Sequence, residues 1–147
     1  MEHVPCESLG YLLSHASRSL NACLNAMFVR GGHRVTAEQW KILQHLWTKD
    51  GVPQKELASM IGRDETMTTR FIDGLEKGDY VVRIPDQKDR RRKRIYLTRK
   101  GRSSKEVLNR LARENLEEAC LGLSEREVER LKAGLRSIMQ NLKNKKA

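Results

Sequence analysis

Aromatic side chains are scarce in this chain: two Trp, three Tyr and two Phe make up 5% of its 147 residues. A core with so few rings is built from aliphatic residues on narrow helical faces, and some of those faces then need a partner chain to cover them. Cysteine is scarce too. Cys6, Cys23 and Cys120 are odd in number and widely scattered, which argues against a disulfide framework and suits a reducing cytoplasm. The histidines His3, His15, His33 and His45 share no ligand spacing, and no Cys-x-x-Cys pair exists, so neither a metal nor another cofactor is expected. No apolar run approaches the roughly 18 residues of a membrane span. Met1 to Pro5 lacks the basic-then-apolar order of a signal peptide, so a cytoplasmic protein without membrane contact is expected. Enzyme chemistry is missing as well. The glycines are isolated, the acids lie mostly on helical surfaces, and no nucleophile–base pair, paired carboxylates or phosphate-cradling loop can be assembled.

Positive charge is abundant, at a formal net of +10. That points to a polyanion such as nucleic acid, or to an acidic membrane surface. Its placement says more than its total. Between Tyr80 and Arg102 stand Arg83, Lys88, Arg90, Arg91, Arg92, Lys93, Arg94, Arg99, Lys100 and Arg102, against only Asp86 and Asp89, so +8 of the net +10 lies here. A charge run of this kind is often a solvated face or a disordered arm. Here strand-like sequence flanks it on both sides: Tyr80-Val81-Val82-Arg83-Ile84 before, and Arg94-Ile95-Tyr96-Leu97-Thr98 after. Pro85-Asp86 adds turn chemistry at the exit of the first strand. A hairpin with a basic tip follows.

The rest reads as helix. Leu9, Leu13, Ala16, Leu20, Cys23, Leu24 and Met27 recur at steps of three and four, until Gly31-Gly32 stops them. On that stripe Cys23 is expected to be inert core. Thr36 with Gln39 forms a capping box opening a helix that carries Trp40, Leu43, Leu46 and Trp47. Pro53 then starts a short helix from Gln54 to Ile61, and Gly62 ends it. Asp64 caps a further helix from Glu65 to about Lys77, with Thr68, Phe71, Ile72 and Leu75 inward and Thr66, Met67, Thr69, Arg70 and Asp73 outward. Two short helices joined by a tight, glycine-containing turn make a helix-turn-helix. The polar face left on the second helix can reach base edges and phosphates in a major groove. Adding the basic hairpin gives a winged helix, whose cations can lie on phosphates or enter a narrow minor groove.

Three segments, in order and at matching separations, resemble the MarR family of winged helix-turn-helix transcriptional regulators. They are Ile61 to Arg70, Pro85 to Arg91 with its Asp89-x-Arg91 signature, and Leu97-Thr98-Arg99-Lys100-Gly101. The resemblance implies that Arg91 approaches the minor groove while Asp89 helps to hold the wing, with Lys88, Arg90 and Arg92 beside them on phosphates. It places Thr66, Met67, Thr69 and Arg70 on the major groove, and Gln54 and Lys55 against the DNA backbone. Phosphate contacts supply affinity; the recognition-helix side chains supply sequence reading. Two positions depart from the pattern. Asp79 stands where the family usually has glycine, and aspartate tolerates the left-handed turn better than most residues. Gly74 stands where recognition helices often carry another cation.

After Gly101, Val107, Leu108, Leu111, Leu116 and Ala119 mark one long helix to about Leu121. Ser124 with Glu127 caps a last helix bearing Val128, Leu131, Leu135, Ile138 and Leu142. The expected fold is mainly α with a small β-hairpin wing, in a single MarR-like domain. Residues 8–30 form an N-terminal dimerisation helix, 36–100 the winged core and 101–147 C-terminal dimerisation helices. The resemblance implies a homodimer on double-stranded DNA, reading half-sites about one turn apart and acting as a repressor. It also implies possible release by a small aromatic ligand, for which His15, Trp40 and Trp47 are weak lining candidates, core packing being the tryptophans' other role. Peroxide-sensing members carry a cysteine early in the first helix, where this chain has Gly10; Cys6, one turn earlier, is the displaced redox candidate. Cys120 has no basic cluster immediately beside it to favour a thiolate. The alternative from another class is a basic protein that binds nucleic acid without sequence preference, which explains the charge but not the polar recognition face.

Overall fold

The computed structural model describes residues 7–146. In chain order the elements are α1 (Leu9–Arg30), α2 (Ala37–Thr48), β1 (Val52–Pro53), α3 (Gln54–Ile61), α4 (Glu65–Lys77), β2 (Val81–Pro85), β3 (Lys93–Leu97), α5 (Arg99–Ser103), α6 (Lys105–Ala119) and α7 (Glu125–Lys145). The chain divides at Asn115 into two compact units.

In the first unit, Leu24 and Phe28 of α1 and Ile42, Leu43 and Leu46 of α2 are buried with Leu57, Ile72, Leu75, Ile95 and Leu108. At about 25 cal/mol per Å² of apolar area, this mostly aliphatic cluster is the main source of cohesion. Both capping boxes form as the sequence indicates. The Thr36 hydroxyl accepts from the Gln39 amide at 3.2 Å while Gln39 Oε1 accepts from the Thr36 amide at 2.9 Å. Ser124 and Glu127 repeat the exchange at the start of α7. Asp79 takes the left-handed conformation, at φ 64°.

The sheet has three strands in the order β1-β3-β2, all antiparallel. β2 and β3 are the expected hairpin, with Val81 opposite Leu97 and Pro85 opposite Lys93. β1 is an addition: Val52 pairs with Ile95 and Pro53 with Arg94. Two residues are too few to show an alternating pattern; Pro53, expected in the first turn of α3, instead pairs in β1 and stands as the N-cap of that helix. Proline is tolerated because β1 is an edge strand.

Two further expectations are corrected. Cys23 is exposed. The buried line along α1 runs through Leu24 and Phe28, with Leu20 half-buried one turn earlier, and Cys23 sits about 100° round the helix from Leu24. The single helix expected after Gly101 is two, α5 and α6, separated by Ser104. The Gly101 carbonyl accepts both the Trp47 indole N–H and the Ser104 hydroxyl, each at 2.9 Å, which compete with the next amide of the helical ladder. Gly101 has to be glycine, because a Cβ there would overlap the Tyr80 carbonyl oxygen. The last helix, α7, buries none of its residues. Leu131, Met139 and Leu142 are 54%, 69% and 55% exposed.

Candidate nucleic-acid interface

The interface is assembled from α3, α4 and the β2–β3 hairpin. Gly62 ends α3 in the left-handed conformation, at φ 68°. Asp64 then accepts a 2.7 Å hydrogen bond from the Met67 amide and starts α4 in a new direction. Thr68, Ile72 and Leu75 face the core. Thr66, Met67 and Arg70 are exposed, and Thr69 is half-buried. The face expected to meet DNA is thus divided. The Thr69 hydroxyl donates to the Glu65 carbonyl and accepts from Gln54 Nε2, both at 2.8 Å. Gln54 is drawn into the protein by that bond, whereas Lys55 beside it is exposed.

A glycine makes room for one bond between α2 and α4. Gln39 Nε2 donates to the Phe71 carbonyl of α4 at 3.2 Å, and a Cβ at Gly74 would overlap that amide nitrogen. A larger residue at 74 would force that flexible amide aside and cost its bond to the Phe71 carbonyl. The departure noted at Gly74 therefore has a packing reason.

The hairpin tip, residues 86–92, is organised by its two acids. The Asp86 amide donates to the Arg92 carbonyl at 2.9 Å, and the Arg92 amide donates to the Asp89 carbonyl at 3.0 Å. Asp86 Oδ1 accepts from the Lys88 amide, and Asp89 Oδ1 from the Arg91 amide, each at 3.1 Å. The Asp86 side chain also faces Arg94 Nε at 3.4 Å. The Lys88 amide first, and then the charge of Arg94, hold the Asp86 carboxyl below the usual aspartate range. Arg94 in turn donates to the Gly51 carbonyl at 2.8 Å. Asp86 is buried while Asp89 stays exposed and bonded to the Arg91 amide, and Lys88, Arg90, Arg91, Arg92 and Lys93 are exposed beside them. Among the described residues the side chains of these cations enter no hydrogen bond or ion pair.

Asp86, Arg94, Arg83, Gln39 and Gly74 were all missed as contributors to this surface. For Asp86 a signal existed, since it is one of two acids among ten cations. For Arg83 and Arg94 the sequence offers their place in the flanking strands, but not the partners that hold them.

The other candidates are not gathered into one place. The His15 ring stacks on Tyr11 with centroids 5.4 Å apart. Trp40 Nε1 donates to Asn109 Oδ1 at 3.0 Å, and Trp47 to Gly101. A groove of about 530 Å³ runs along α6, lined by Lys105, Glu106, Val107, Asn109, Arg110 and Arg113; none of the three lines it. Cys6 lies outside the described residues. Among the described residues no group of three or more metal-ligating side chains occurs, and no helix is long and apolar enough to cross a membrane.

A short helix pair, its second helix exposing polar side chains, followed by a hairpin with a cationic tip, defines a winged helix-turn-helix of the DNA-binding kind. Residues 35–93 match the family model described as MarR family. The HTH-type transcriptional regulator YybA of Bacillus subtilis is 29% identical over 108 residues, spanning 74% of this chain and 72% of that protein. A MarR transcriptional regulator from Methanosarcina mazei superposes with a TM-score of 0.80 at 26% identity, over 90% of this chain and 94% of its own. The fold also matches that of reduced AbfR bound to DNA, with a TM-score of 0.78 at 21% identity over 92% and 90% of the two chains. Residues 35–93 thus carry a MarR-family region, and the fold is that of MarR-family transcriptional regulators.

Proposed function

We propose that two copies of this chain bind a pseudo-palindromic DNA operator and repress the genes beside it. The observation that carries this reading is the sorting of charge around the hairpin. Both acids of the tip are spent on backbone amides and on Arg94, while Arg90, Arg91 and Arg92 are exposed with no partner among the described residues. Cations displayed this way gain by releasing counterions from phosphates, and an arginine inserted in a narrow minor groove gains further from its negative potential. Arg70, Met67 and Thr66 form the exposed edge of α4 that would read the major groove, and Lys55 would sit on the backbone. AbfR, which has the same fold, is known bound to DNA.

One observation supports a dimer. The chain's last helix has an apolar stripe with no buried residue, and two-fold pairing is the commonest way to cover such a face. Repression rests on the family resemblance.

Selection of genomic duplex fragments by the purified protein at physiological salt, followed by sequencing, tests the reading. Enrichment of one inverted repeat is expected, together with a sedimentation mass of two chains and raised transcription of the adjacent genes when the regulator is deleted. Enrichment of no sequence would replace this reading with that of a basic protein binding any duplex.

A further inference from the structure

We infer that Arg83 is a positioning residue for operator recognition, acting through Gln54 and Thr69 to fix the recognition helix against the base of the wing. The inference rests on the reading above.

Arg83 lies on β2, yet its guanidinium is turned back into the protein, with the side chain only 18% exposed. Nε donates to Gln54 Oε1 of α3 at 3.1 Å. Nη1 donates to Glu76 Oε1 at 3.1 Å, and Nη2 lies 2.7 Å from Asp73 Oδ1 and donates to the Thr69 carbonyl at 3.2 Å, all on α4. The Arg83 amide adds a bond to Glu76 Oε2 at 3.2 Å. One planar fork thus ties the wing strand to both helices of the helix-turn-helix. Lysine, with a single ammonium, cannot reproduce that geometry.

The network also sets the orientation of an amide. Because Arg83 can only donate, it holds the oxygen of Gln54 towards itself and leaves Nε2 for the Thr69 hydroxyl. That hydroxyl has its own proton on the Glu65 carbonyl. Thr69 is therefore the inner end of the relay, and the exposed reading edge of α4 consists of Thr66, Met67 and Arg70. Specific binding needs the helix and the wing tip to meet two grooves at once, whereas charge-driven binding needs only the cations. A slack joint between them should cost the first and spare the second.

The test uses the full-length protein and two duplexes: the genomic fragment the wild type enriches, and a shuffled duplex of the same length and composition. Arg83→Lys keeps the charge and loses the fork. Its affinity for the enriched fragment should fall about tenfold, the usual cost of spoiling one base-pair readout, with affinity for the shuffled duplex and its salt slope unchanged. Thr69→Val should do the same, and the double variant should lose little more than either single one, since both break one relay. A merely stabilising role for Arg83 predicts a lower melting temperature with the ratio of the two affinities intact, and that result overturns the inference. So do strictly additive losses in the double variant. If Arg83→Lys fails to fold, Gln54→Ala takes its place with the same expected loss of ratio, and an unchanged ratio is again contrary. A wild type that binds both duplexes equally defeats the functional reading itself, and this inference with it.

Discussion

The tip and the base of one hairpin carry the same residue type in opposite surroundings. At the base, Arg83 is held by Asp73, Glu76 and Gln54, and Arg94 by Asp86 and the Gly51 carbonyl. At the tip, Arg90, Arg91 and Arg92 touch no acid among the described residues. Below the hairpin, Lys100 is likewise committed to the Gly78 carbonyl and the Tyr80 ring, and Arg102 to the Leu97 carbonyl. Of the ten cations that made this stretch look uniformly basic, Lys88, Arg90, Arg91, Arg92, Lys93 and Arg99 remain for an outside partner. Charge counted along a sequence overstates the charge a surface offers. The acids that neutralise part of it, Asp73 and Glu76, lie outside the basic stretch and arrive only through folding.

Removing the tip should have the largest effect. Arg90, Arg91 and Arg92 replaced together by alanine should lower operator affinity on the order of a hundredfold and flatten the salt dependence by about three contacts' worth. The melting temperature should not change. Arg91→Ala alone should cost about 1–3 kcal/mol of operator binding, as one specific contact does. Unchanged affinity would take the wing out of the mechanism. Arg94→Met inverts the pattern: the Asp86 carboxylate loses its cation, so thermal stability falls while the salt slope of DNA binding stays as in the wild type. A slope reduced as much as in Arg91→Ala would show that base and tip are not distinct.

The smallest effect concerns a fold-bound arginine outside the hairpin. Arg63, in the turn before α4, donates to Glu38 of α2 at 2.9 Å. Arg63 first, then Lys41, hold the Glu38 carboxyl below its ordinary value of 4.5, against burial that pushes it up. A depressed folded-state value stabilises the fold above pH 4.5, and that contribution is lost as the pH falls through the folded-state value. With Arg63 half exposed, the amount is under about 1 kcal/mol. Acid unfolding curves should therefore separate wild type from Glu38→Gln at neutral pH and converge once the pH has fallen through the folded-state value. Curves parallel throughout would remove the pair from the stability of the turn.

Legibility in the sequence followed the length over which a pattern repeats. α1, α2, α4 and α7 announce themselves through apolar residues at steps of three and four, and Thr36–Gln39 and Ser124–Glu127 fix two starts through local bonds. The hairpin reads from β-branched residues on both sides of a turn. What stayed hidden depends on neighbours distant in sequence. β1 exists because β3 runs beside it. Cys23 shares the period of the stripe but not its buried line. Gly74 is explained only by Gln39, 35 positions earlier. Among the site candidates, Thr66, Met67, Lys88, Arg90, Arg91 and Arg92 are exposed, as a DNA-reading surface needs, while Gln54 and Thr69 turned inward to Arg83.

The most direct test of a sequence-reading role is the affinity of the wild-type protein for its enriched genomic fragment beside that for the shuffled duplex, at physiological salt. A separation of about 10³-fold or more is predicted for a sequence-specific regulator. Equal affinities, with the same steep salt dependence for both, would contradict it.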